Sequence, residues 1–279
     1  MILYNYLYLH FRIIIIPVKY HHFLLILLIL FSSCNSFQKL LKSENVPAKY
    51  EKAKEYFNKK DYNKCILLLE TILPYYRVSK EAEKIAYFYA FSEYAMGNYV
   101  SSSYHFKKLY DTYPFGEYAE EALYLYAYSL YEQSPPVDLD QTSSTNAIEA
   151  LQLFISRYPN SKRVDEANKF MDILLLKIEL KDFNTAKLYY QIQDYRAAAW
   201  SLKSFIERYP LSAKNKEVYF MILNSYYKLA LNSIEEKKME RFTDVVSFYK
   251  DNKDNFKSTQ YSLLAENIYH SSLNKLKKR

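Results

Sequence analysis

A stack of antiparallel α-helical hairpins is the fold this sequence predicts, and three observations predict it. Glycine occurs only twice in 279 residues, at Gly97 and Gly116. Glycine-rich phosphate loops, dinucleotide fingerprints and tight primed hairpins need glycine at fixed places, so none can be built here. A chain that forgoes positive-φ residues is most easily all helix. Second, three amphipathic runs, SSSYHFKKLYDTYP, NAIEALQLFISRYP and AAAWSLKSFIERYP, close on Tyr113-Pro114, Tyr158-Pro159 and Tyr209-Pro210. Third, the runs share a spacing. Twelve residues before each proline stands a small side chain (Ser102, Ala147, Ala198), eight before it a bulky one (Phe106, Leu151, Leu202) and five before it another (Leu109, Phe154, Phe205). These offsets fall on one helical face, and the proline ends each helix.

In chain order, residues 1–33 read first as an export signal. FLLILLILF at 23–31 is too short for a bilayer core, which takes roughly 20 apolar residues, and suits the apolar segment of a signal peptide. Arg12 and Lys19 precede it, and no acid occurs before Glu44. Ser32, Ser33 and Cys34 then look like a lipobox, in which Cys34 is diacylated on sulfur, becomes the new N-terminus and anchors the chain by covalent lipid. The rival is a signal anchor that also uses the apolar patch at 2–16, although Pro17, Lys19, Tyr20, His21 and His22 would then sit near its centre. Residues 34–46 are expected to be a lipidated tether.

Residues 47–160 hold three repeat units. Their first helices carry Ala53, Ala90 and Ala127 at the close-contact position. Asp61-Tyr62 and Asn98-Tyr99 start the first two second helices, as Asp194-Tyr195 starts a later one, Asp or Asn serving as N-cap. The small residue three after each tyrosine is Cys65, Ser102 or Ala198, which gives Cys65 a packing role. Small, bulky four and seven later, proline after twelve is the pattern of the second helix of a tetratricopeptide repeat. The irregular insert SPPVDLDQTSS at 134–144 lengthens the third unit. Residues 161–279 carry further units. An extra helix is expected at 163–183, inserted before the next hairpin, with later helices near 212–231, 237–252 and 257–276, the last a cap. About five units result.

Composition narrows the function classes. The formal net charge is only +7, and the one dense basic cluster is the terminal Lys275, Lys277, Lys278 and Arg279, which reads as a solvated tail. No nucleic-acid partner is expected. Cys65 is a lone thiol once Cys34 is acylated, and His105 and His270 stand singly without ligand spacing, so no metal site or other cofactor is expected. A helical-repeat glycosidase would need a further compact catalytic domain, and too few residues remain for one. The chain is not expected to be an enzyme.

The ordered combination of lipobox, Tyr-Pro endings, S-P-P-x-x-L-D-Q-T insert and the segment RYPNSKRVDEANKFMDILLLKIELKDFNTAKLYYQIQDYRAAAWSLKSFIERYP resembles the BamD family of outer-membrane assembly lipoproteins, over roughly residues 34–250. The resemblance implies a non-enzymatic protein on the periplasmic face of the outer membrane. It implies docking on a BamA-type β-barrel insertase, mainly through the C-terminal units, and help in inserting unfolded outer-membrane proteins. Registering first helices on their small residues turns Tyr50, Lys54 and Phe57, then Tyr87, Phe91 and Tyr94, then Tyr124, Tyr128 and Tyr131 toward a peptide-binding groove. The alternative role for these rings is to fill gaps between helices. The rival function is another periplasmic tetratricopeptide scaffold, coordinating envelope constriction or peptidoglycan synthesis. Such proteins generally lack the extra helix.

Overall fold

A computed structural model describes residues 36–277. The expected signal peptide and Cys34 lie outside these residues. The described chain is helical, without strands, and divides into two compact units, one reaching to Ser129 and the other running from Leu130. A helical turn at 36–41 enters the first unit, and Phe37 is already buried there, edge-on to Tyr56 at 5.7 Å.

In the first unit α1 (Val46–Asn58) packs on α2 (Tyr62–Ile72), and α3 (Ala82–Ala95) packs on both α2 and α4 (Tyr99–Thr112). Then comes α5 (Ala119–Glu132), within whose sequence the boundary between the two units falls. The second unit continues with α6 (Thr142–Arg157), α7 (Val164–Gln191), α8 (Tyr195–Arg208) and α9 (Asn215–Leu231). It ends in α10 (Glu235–Asp251), the single turn α11 (Lys253–Phe256) and α12 (Ser262–Lys277). Each helix from α6 to α9 packs on its successor, α11 packs on α9, and α12 closes on α9 and α10. This is the all-α fold of helical hairpins that the repeat spacing predicts.

The repeat positions behave alike. Ala53, Cys65, Ala90, Ala127, Ala147 and Ala198 are all fully buried, as are Phe106, Leu151 and Leu202. The three helix-ending tyrosines adopt one conformation: φ −128° and ψ 63° at Tyr113, −127° and 61° at Tyr158, −125° and 65° at Tyr209. The close-contact positions leave no room for a larger side chain. Ala147→Leu and Ala198→Leu are each expected to cost about 1–3 kcal/mol through overpacking. A denaturation midpoint unchanged in both variants would refute the register.

Burial pushes the Cys65 thiol up to about 11. At pH 8 only about one molecule in a thousand then carries the reactive thiolate. N-ethylmaleimide should therefore leave Cys65 unmodified in the folded protein and label it in denaturant, as peptide mass spectrometry at that residue would report.

Three expectations need correction. The residues at 163–183 are not a separate inserted helix: α7 is one helix of 28 residues that continues into the first helix of the next hairpin. No proline or glycine lies between Val164 and Gln191, so nothing stops it. At the C-terminus, the helix expected from 257 begins only at Ser262, because Ser258 turns the chain with φ 56°. Positive φ is not forgone either. Lys60 (60°), Gly97 (77°) and Gln193 (66°) occupy the same place, directly before the N-cap residues Asp61, Asn98 and Asp194.

These are left-handed helix terminations. The N–H groups of Asp61 and Asn98 reach back to the carbonyls of Tyr56 and Glu93, at 2.9 and 3.0 Å. Side chains other than glycine adopt this conformation at a cost of about 1–2 kcal/mol, part of which glycine returns as chain entropy. Gln193→Gly is expected to stabilise the protein by about 0.5–1 kcal/mol, read as a raised urea midpoint. Asp61 and Asp194 accept cap hydrogen bonds from the N–H groups of Lys64 and Ala197. Asn98 does not cap. Its side-chain amide turns back and donates to the buried Glu93 carboxylate at 2.8 Å.

Candidate peptide-binding surface

The nine side chains expected to face a groove share one spacing on α1, α3 and α5: a tyrosine, then the residues four and seven later. That spacing keeps each trio on one helix face. None is exposed; Tyr50, Tyr87 and Tyr124 are buried and the other six half-buried.

The structure joins six of the rings into a ladder in the first unit. Phe57 of α1 stacks on Phe88 at 3.9 Å and meets Phe91 edge-on at 5.5 Å. Phe91 touches Tyr87 at 5.7 Å and Tyr94 at 5.9 Å, both on α3. Tyr94 meets Tyr128 of α5 edge-on at 5.9 Å, and Tyr128 stacks on Tyr124 at 6.3 Å. Edge-on and offset geometries of this kind are favourable by about 0.5–1.5 kcal/mol per pair beyond burial.

Two members stand apart from the ladder with a different partner. Lys54 Nζ lies 4.8 Å from the Tyr50 ring and 2.7 Å from Glu51, while Tyr50 packs on Tyr76 at 5.3 Å. Burial pushes the Tyr50 hydroxyl above its ordinary range, and the Lys54 ammonium opposes that shift. The last member, Tyr131, belongs to the second unit, where it packs against Phe170 of α7 at 4.4 Å.

Several participants were not legible from the register. Tyr118 stacks on Tyr87 at 4.3 Å and is held by Glu83, whose carboxylate accepts the Tyr118 N–H at 2.9 Å. Gly116 makes room for this contact, since a Cβ there would lie 2.1 Å from Glu83 Oε1. Phe88 lies one position from Tyr87, off the face that the spacing selects. Tyr62, edge-on to Phe57 at 5.9 Å, was visible only as part of a helix-start signal. Chemically the ladder offers half-buried aromatic faces interrupted by phenol groups. Apolar and aromatic side chains could pack there, and nothing in it is a nucleophile or an acid–base pair.

The second unit presents a different surface. The first turns of α10, EEKKMER at 235–241, are mostly exposed, with Glu235 paired to Lys238 at 3.0 Å. Arg241 donates to the Ser233 hydroxyl. Among the described residues no helix is long and apolar enough to cross a membrane.

An outer membrane lipoprotein family, YfiO, matches residues 43–262. The outer membrane protein assembly factor BamD of Caulobacter vibrioides is 28% identical over 165 residues, covering 59% of this chain. The match spans 52% of that relative, about half its length. The family match begins where α1 is about to start and runs into α12, so it takes in the ladder, the long α7 and the charged α10 alike: the chain belongs to the YfiO family of outer membrane lipoproteins.

Proposed function

We propose that the protein is a non-enzymatic component of the β-barrel assembly machinery, anchored to the periplasmic face of the outer membrane by lipid on Cys34. In this reading it recruits unfolded outer-membrane proteins and docks on a BamA-type insertase. The family match over 43–262 is the observation that carries the proposal. The likeness to an outer membrane protein assembly factor supports it.

Labour is divided along the chain. The ladder of Phe57, Tyr87, Phe91, Tyr94, Tyr124 and Tyr128 receives aromatic segments of client chains, with Tyr50 and Lys54 beside it and Tyr131 at the start of the second unit. The second unit holds the insertase, for which the exposed charges of α10 suit a polar rim around a large interface.

The test uses the full chain in its own envelope. Solubilised in mild detergent and pulled out, it should bring a β-barrel insertase with it, and its recovery without one would overturn the proposal. Charge reversal at Lys237 and Glu240 should lower that recovery. Cys34→Ala should leave an unprocessed precursor that takes up no labelled fatty acid. A wild-type chain without label would remove the lipid anchor.

A further inference from the structure

Tyr56, near the C-terminal end of α1, is the hub of a group of lysines that lie apart in sequence and meet only in the fold. Phe37 approaches its ring edge-on at 5.7 Å. Lys52 Nζ lies 5.4 Å and Lys64 Nζ 5.2 Å from the centre of the same ring. Lys59 joins through Glu55, whose carboxylate it shares with Lys52 at 2.7 and 2.6 Å. Lys60 stands in the turn that the Asp61 N–H closes on the Tyr56 carbonyl. Lys39 belongs to the same helical turn as Phe37.

The charges there do not balance. These five ammonium groups meet two carboxylates, Glu55 and Asp61, the latter paired with Lys64 at 2.6 Å. Lys39 and Lys60 are exposed, and neither ammonium has an ion-pair or hydrogen-bond partner among the described residues. Lys42 and Glu44, also exposed, offset each other. The group also stands at a fixed reach from Cys34. Three residues on from that cysteine comes Phe37, at most about 11 Å of extended chain away. Phe37 is buried, so the tether cannot lengthen, and Lys64 Nζ is 6.0 Å from the Phe37 ring. That reach is comparable with the distance, about 8 Å at physiological salt, over which charged headgroups act.

We propose that the lysines around Tyr56 form a membrane-facing surface that binds anionic phospholipid headgroups of the membrane carrying the anchor, and so orients the first unit on that membrane. Lys39 and Lys60 meet headgroup phosphates directly, and Lys52, Lys59 and Lys64 keep the two carboxylates neutralised beside them. An acidic segment of a partner protein offers the same charge. The anchor favours the headgroups, because it holds them beside the lysines at high effective concentration. The proposal rests on the lipid at Cys34, and not on the ring ladder or on α10.

The experiment reconstitutes the full chain into vesicles of phosphatidylcholine alone, or of equal parts phosphatidylcholine and phosphatidylglycerol. A pulse of amine acetylation, read by peptide mass spectrometry, then reports the access of each lysine. Phosphatidylglycerol should lower labelling of Lys39, Lys59 and Lys60 about fivefold, the effect expected for one lysine at an anionic surface. The exposed Lys216 and Lys253 of the second unit should label equally on both vesicles. Concentrated potassium chloride should abolish the difference. Lys39→Glu with Lys60→Glu, both at exposed side chains, leaves the group without its positive excess and should restore labelling of Lys59. Equal labelling on the two vesicles, or protection of Lys59 unaltered in the double variant, would overturn the assignment. So would protection on phosphatidylcholine by added polyglutamate as strong as that by phosphatidylglycerol, which would give the surface to an acidic protein. Flotation with phosphatidylcholine alone reads the anchor by itself, so its failure and that of the lysine surface give different results.

Discussion

Phe106→Ala is expected to destabilise the first unit by about 3–5 kcal/mol, the range for emptying a fully buried phenylalanine site. Phe106 is fully buried on α4, with ring centroids of Tyr87 and Tyr94 each 6.4 Å away. Removing it takes away apolar burial and also a wall of the aromatic ladder. Those neighbours are large and planar, so they cannot collapse into the space as an alkyl chain would. Urea denaturation followed by circular dichroism measures the change. A loss below about 1 kcal/mol would mean that the site relaxes and that the ring network is not a rigid unit.

Asn184→Pro is the second large effect, at about 3 kcal/mol or more. The exposed Asn184 side chain makes no packing contribution, so the substitution reads out backbone continuity. A proline there removes the N–H that bonds to the Leu180 carbonyl, and its ring collides with that carbonyl. It also pushes Phe183 away from helical geometry, although Phe183 is buried and packs edge-on to Phe205 at 5.7 Å. Were 163–183 a separate helix, position 184 would fall in a connection and the change would cost little. Denaturation of the full chain distinguishes the two. A near-neutral result would show that α7 is broken in solution.

The contrast between these positions shows how much of the molecule the sequence reveals. Ser102, Phe106 and Leu109 were legible because burial on one face leaves a helical period, and the Tyr-Pro endings because proline stops a helix. The length of α7 was misread because the stretch is too long for an ordinary first helix and was assigned to a separate, inserted one. The absence of any breaker between Val164 and Gln191 was the better signal. Polar pairings were not legible, because their partners are distant in sequence. The buried Ser102 and Ser129 hydroxyls, 27 residues apart, meet at 2.9 Å, and Asp182 accepts from both Arg208 and Tyr209 at 2.7 Å. For the candidate site, spacing identified which rings share a helix face. Whether a ring lies open or stacks depends on neighbours such as Phe88 and Tyr118, whose positions follow no repeat.

The unbroken α7 also constrains how this chain could change by insertion and deletion. Arrays of helical hairpins alter their length by gaining or losing whole units at the loops between them. In α7 the junction between two hairpins is itself helix, about 42 Å long at 1.5 Å per residue. One residue added at its middle would rotate everything downstream by about 100°, turning Phe183 and Ala186 away from the core that they share with Leu202 and Ile222. Only insertions near a whole number of turns would preserve that core. The hairpins on either side of α7 are therefore inherited together, as one indivisible block of sequence.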